Sequence, residues 1–98
     1  RSLTQLFTSN VAQVNEYEVS LDAVLGNHYH KNTIETFYVI EGSFQVWIDK
    51  HEFIASRGSI FRVFPQEFHT IKANTDKARL MTFLSKPYTG EDADTWKK

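Results

Sequence analysis

The chain has 98 residues, with eleven Lys and Arg against twelve Asp and Glu for a formal charge of −1. A chain of this length supports one core, and its near-neutral balance offers none of the clustered positive charge that a nucleic-acid backbone or an anionic membrane demands. It contains no cysteine, which excludes disulfide frameworks, thiolate nucleophiles, Fe–S clusters and Cys-type zinc sites; with no apolar run near the ~20 residues of a membrane helix and no signal-peptide pattern, the expected location is the cytoplasm.

Val, Ile and Thr number twenty-two against twelve Leu and Ala, beside eight Phe, four Tyr and two Trp, and this excess of β-preferring residues predicts strands. No segment keeps a 3.6-residue apolar period over ten residues. In chain order, residues 3–8 read as an edge strand, 11–19 as the first clear strand, and 21–25 as its continuation past a bulge, with Gly26-Asn27 expected to break the pattern. Residues 33–41 (TIETFYVIE) form a strong strand that Gly42 ends. Residues 43–49 follow at hairpin distance, with Phe44, Val46 and Ile48 on one face. A polar turn over 49–52, which includes His51, precedes strands at 53–55 and 60–64. Pro65 and Gln66-Glu67 make a corner before strand 68–73, and 78–85 is the last strand. The tail, 86–98, has too little apolar matter for a core of its own. The rhythm predicts a single all-β domain over 1–98, a sandwich or barrel.

Segment 33–41 is apolar on both faces, since Ile34, Tyr38 and Ile40 alternate with Phe37 and Val39. A small sandwich normally keeps its outer face polar. The excess predicts a homodimer that buries that face, unless the N-terminal strand or the tail covers it.

The chain has four histidines. His28 and His30 are separated by one residue, so on extended backbone their imidazoles leave the same face and can reach one ion. Glu35 lies five residues on, sharing a face with inward-looking Phe37 and Val39. A carboxylate on a core face is costly unless a cation or an Arg meets it. His69, after the corner at Pro65, would be the third imidazole. Three imidazoles and a carboxylate suit one divalent transition metal, Mn, Fe, Ni, Co or Zn, and not Cu(I). Spacing alone leaves surface or hydrogen-bonded histidines as the other reading. His51, in its polar turn, reads as a solvated surface residue.

The stretch 26–42, with His28-x-His30, four residues, Glu35, six residues and Gly42, resembles the first motif of the cupin superfamily. Gly58, Pro65, His69 and Asn74 are similar to its second motif, over 58–74. The resemblance implies a small antiparallel jelly-roll β-barrel with both motifs at its mouth, and metal ligation by His28, His30, Glu35 and His69. The sequence departs from the pattern at Asp22 and Glu67, where the family often has Gly, and in the spacing around Pro65.

Within the superfamily, the stretch from Gly26 to Lys31 looks most like cupins attached to sugar and nucleotide-sugar pathways. That implies a metal-dependent enzyme on a small oxygenated substrate, with isomerase- or epimerase-like chemistry favoured over oxygenase chemistry. A non-catalytic barrel that binds or senses a small ligand is the alternative, because one fold hosts both kinds. The sequence names no catalytic base off the metal and no substrate-binding residue.

Overall fold

Period-two alternation of apolar residues resolves into strands throughout the computed structural model, which describes residues 2–8, 13–30, 32–85 and 95–97, with side chains over 4–6, 14–26, 29 and 32–85. Among the described residues there are ten strands and no helix: β1 (Ser2–Thr8), β2 (Gln13–Val19), β3 (Val24–His30), β4 (Glu35–Glu41), β5 (Ser43–Ile48), β6 (His51–Ser56), β7 (Ile60–Val63), β8 (His69–Ala73), β9 (Ala78–Leu84) and β10 (Thr95–Lys97).

The topology grows from one hairpin. β5 and β6 pair about the turn at Asp49 and Lys50, and the pairings nest outward from it: β4 with β7, β3 with β8, β2 with β9. Wound up, this ribbon gives two five-stranded antiparallel sheets, in the orders β1-β2-β9-β4-β7 and β10-β3-β8-β5-β6. The fold is an all-β jelly-roll barrel. Its dry core lies between the sheets, where Val39, Phe44, Val46, Val63, Ile71 and Leu80 are buried. Phe44, Val46 and Ile48 share the inward face of β5, as their alternation predicts.

Three local expectations are corrected. The segment 21–25 does not extend the preceding strand. Leu21 and Asp22 form a turn, and the chain crosses to the other sheet at Val24. Asp22 takes φ 68 there, a left-handed conformation that Asp tolerates better than most residues. Gly26 does not break β3. It sits inside the strand at φ 86, next to a register shift between Gly26 and His28, so the sequence signal marked a bulge. His51 opens β6 instead of lying in the turn, and it is exposed, as a surface histidine should be.

The outer face of β4 remains open among the described residues. Tyr38 stands between Met81 of β9 and Ile60 of β7, and Thr36 between Phe83 and Arg62. Ile34, Tyr38 and Phe83 are more than a third exposed, and Ile60 is 66% exposed. Of the candidate covers, β1 and the tail residues 95–97 lie among the described residues. β1 lies at the far edge of the same sheet, and β10 of the tail pairs with β3 at the edge of the other.

Candidate functional site

One end of the barrel interior is polar. β4 begins there, and Glu35 points inward with Phe37 and Val39, buried to 7% exposure. The start of β4 is tied to the end of β9 by two hydrogen bonds: the Ile34 N–H donates to Ser85 Oγ at 2.9 Å, and the Ser85 N–H donates to the Ile34 carbonyl at 3.0 Å. His69, first residue of β8, enters from the facing sheet at 1% exposure. Its Nε2 lies 3.5 Å from Glu35 Oε1. The group that meets the buried Glu35 carboxylate from the facing sheet is the His69 imidazole.

His69 is held from three directions. Gly26 presses against it so closely that a Cβ there would stand 2.9 Å from the His69 carbonyl oxygen and 3.1 Å from its ring Cδ2. Phe37 meets the ring edge-on, with centroids 5.9 Å apart, and is itself stacked on Phe61 at 4.8 Å. The approach to β8 is clamped by the β5–β6 turn: the Asp49 N–H donates to the Phe68 carbonyl at 2.7 Å, and Asp49 Oδ1 accepts the Phe68 N–H at 2.9 Å. At the preceding corner Gln66, with φ 71, takes the left-handed position one residue ahead of Glu67, whose Oε1 accepts the Phe64 N–H at 2.7 Å. The altered spacing around Pro65 falls at this corner, directly ahead of His69.

Of the four sequence-nominated residues, the structure brings Glu35 and His69 together. His28 pairs with His69 across the β3–β8 ladder, and His30 lies two residues further along the same strand. Both backbones are extended, as the His-x-His reading needs, but the two side chains lie outside the described residues. Among the described residues no cluster of three His, Cys, Asp or Glu is present.

A cavity of about 80 Å³ opens beside the pair. Leu25, Phe37 and Ile71 give it an apolar wall, while Tyr17, Glu35, His69 and Thr82 supply polar groups and Gly26 leaves room. Sequence reasoning missed Tyr17 and Thr82, and also Asn15, which is buried beside Thr82 in the β2–β9 register. A signal was available: each is a polar residue at an inward position, in phase with Val19 on β2 or with Leu80 and Leu84 on β9. Thr82 is 1% exposed, and its Oγ1 has no hydrogen-bond partner among the described residues. An unsatisfied buried hydroxyl costs roughly 1–3 kcal/mol.

The motifs and the barrel agree with what comparison finds. The Cupin domain family matches residues 16–85, and the chain belongs to that family. Its fold is similar to that of KdgF from Halomonas sp., at 17% identity and a TM-score of 0.84, covering 91% of this chain and 81% of that one. An RmlC-like cupin from Shewanella frigidimarina aligns at 20% identity and a TM-score of 0.82, covering 91% of this chain and 78% of the other. The capsular polysaccharide assembling protein CapF from Staphylococcus aureus aligns at 17% identity and a TM-score of 0.85; 97% of this chain is covered but only 29% of CapF. No curated protein matches the sequence significantly.

Proposed function

We propose that the chain is a metal-binding cupin acting on a small oxygenated substrate, with a carbohydrate derivative as the favoured class and isomerase- or epimerase-like chemistry as the favoured reaction. The observation that carries this reading is the 3.5 Å approach of Glu35 Oε1 to His69 Nε2 at a cavity wall, directly across the ladder from His28. Two ligands, each ~2.1 Å from a common ion and 90–109° apart, stand about 3.0–3.4 Å from one another. The observed 3.5 Å lies just above that range, so a slight closing of the two side chains would let them share an ion. Glu35 and His69 would hold it with His28 and His30, and the ion would be Mn, Fe, Co, Ni or Zn.

A metal bound there would supply Lewis acidity toward a carbonyl or enediolate oxygen. The chain's own residues do the remainder. Leu25, Phe37 and Ile71 exclude water from one side of the cavity, which strengthens the polar contacts on the other. Gly26 and Phe37 fix the His69 ring so that Nε2 faces Glu35. The relatives' names support the carbohydrate lean, because CapF is described as a capsular polysaccharide assembling protein.

Metal analysis of protein purified without a His tag tests the reading, followed by turnover assays on sugar phosphates and small oxo acids. A stoichiometric divalent ion with turnover supports it. Saturable binding without turnover supports the alternative of a sensing barrel, and natively folded protein that never holds an ion overturns the metal site. Bound imidazoles must be neutral, so occupancy should fall as acidification protonates them.

The same reading extends to assembly. The open apolar face around Tyr38, Ile60, Met81 and Phe83 supports a homodimer built on β4, β7 and β9. Sedimentation at micromolar concentration would show twice the 11.4 kDa chain mass, and a monomer would overturn this.

A further inference from the structure

We propose that the Thr82 hydroxyl anchors a hydroxyl group of the molecule the cavity receives, and that this molecule is a small polyol or sugar derivative held between Thr82 and the Glu35–His69 pair. The inference rests on the reading that the cavity is the substrate site, and it concerns the wall away from the proposed metal ligands.

Thr82 occupies an inward position on β9, between Asn15 of β2 and Phe37 of β4 in the ladder. Leu80 and Leu84 fill the inward positions on either side of it. Valine would fill the same volume with no polar atom to desolvate, so packing gives no reason for a hydroxyl. The hydroxyl is buried, lines the cavity, and has no hydrogen-bond partner among the described residues.

Its geometry toward Glu35 explains what would satisfy it. Glu35 pairs with Leu84, and Thr82 with Phe37, so Thr82 and Glu35 are diagonal neighbours on one sheet. Diagonal neighbours stand about 7–8 Å apart along the backbone, and Thr82 Oγ1 makes no direct hydrogen bond to Glu35. A polyol of three or four carbons bridges such a gap, with an end hydroxyl at the Glu35–His69 pair and an inner hydroxyl at Thr82. Its C–H face would rest on Leu25, Phe37 and Ile71. A hydroxyl both donates and accepts, so it can pair with an alcohol in either direction.

The probes are meso-erythritol and 1,4-butanediol, which share a four-carbon chain and both terminal hydroxyls and differ in the two inner ones. Each is titrated by NMR into the protein as purified and after chelation, with metal content measured on the same samples. Wild-type protein should bind erythritol about threefold to tenfold more tightly, the worth of one neutral hydrogen bond. Thr82→Val should bring the two probes within about twofold of each other while leaving Tm unchanged or higher, and Thr82→Ser should keep the preference. Within the wild type, the Thr82 γ-methyl resonance should move with erythritol and not with butanediol, a readout that stands even if the Val variant fails to fold. A preference that survives Thr82→Val overturns the inference, as does wild-type protein with no preference or a methyl resonance that stays put. A Thr82-dependent preference in metal-free protein that never takes up an ion overturns the metal reading alone. Stoichiometric metal without that preference overturns the Thr82 anchor alone.

Discussion

Gly26 and Gly58 provide a matched pair, because both hold left-handed backbone with nearly the same φ, 86 and 89. An L side chain in that region costs about 1–2 kcal/mol, slightly offset by the reduced freedom of the unfolded chain, roughly 0.4–1 kcal/mol. A Cβ on Gly58 meets nothing within 4 Å, so Gly58→Ala should cost only that difference, about 1 kcal/mol. Gly26→Ala carries the same backbone strain and adds a Cβ at 2.9 Å from the His69 carbonyl oxygen. That neighbour is backbone inside a ladder and cannot swing aside. Overpacking of this kind typically adds about 1–3 kcal/mol, so Gly26→Ala should cost about 2–4 kcal/mol in all. For a domain of this size each kcal/mol moves Tm by roughly 4–8 °C. Urea unfolding followed by circular dichroism, with equal slopes for the three proteins, reads the difference directly. If the two alanines cost the same, Gly26 is present only for its φ, and its approach does not position His69.

Three further outcomes are expected. Glu35→Gln, which keeps the shape and removes the charge, should weaken divalent-metal binding at least ~tenfold by calorimetry while metal-free stability holds or rises; His51→Ala, at an exposed position, should change neither. Asp49→Ala removes the acceptor of the Phe68 N–H and should cost about 1 kcal/mol in urea unfolding, with a loss of metal occupancy that Asp49→Asn largely restores. Ile60→Lys places a charge on the edge strand of the open face, at its most exposed apolar side chain, and should shift sedimentation toward the 11.4 kDa monomer without lowering Tm by more than a few degrees; an unchanged dimer would move the interface elsewhere.

Strand positions were legible because alternation is local. Phe44-x-Val46-x-Ile48 needs no knowledge of its partners to show which side is inward. Corners were less legible, since their geometry depends on a backbone conformation that several residue types accept. Asp22 and Gln66 both take positive φ without being glycine, so the turn at 21–22 read as a bulge, and the corner after Pro65 looked irregular although it delivers His69 in register. Asp49 read as a polar turn residue and nothing more. Its bonds to Phe68 cross nineteen positions of sequence and exist only once β5 and β6 have folded back. Thr82 was passed over for the same reason: alternation within β9 marks it as inward but cannot show that it shares one cavity with Glu35 and His69.

The distribution of buried polar groups gives the site its physical argument. Asn15, Thr33, Glu35, His69 and Thr82 are the buried polar side chains among the described residues. The registers gather four of them at one end: Asn15 stands opposite Thr82, and Glu35 opposite Leu84, next along β9 on the inward face, with His69 across from Glu35. A fold of this length holds roughly 5–15 kcal/mol of net stability, and an isosteric apolar side chain at these positions would not carry the desolvation penalty. Were the polar groups incidental, the penalty would be lowest with them scattered toward the rim, where water satisfies each one. Concentrated against an apolar wall instead, they make every contact with an entering hydroxyl stronger than it would be in water. The jelly roll keeps this affordable by segregation, since the opposite end, from Val39 to Phe44 and Leu80, is dry and carries the packing. Stability and recognition are therefore divided along the barrel axis, and substitutions at Phe44 or Leu80 should change unfolding without touching ligand preference, while those at Glu35 or Thr82 should do the reverse.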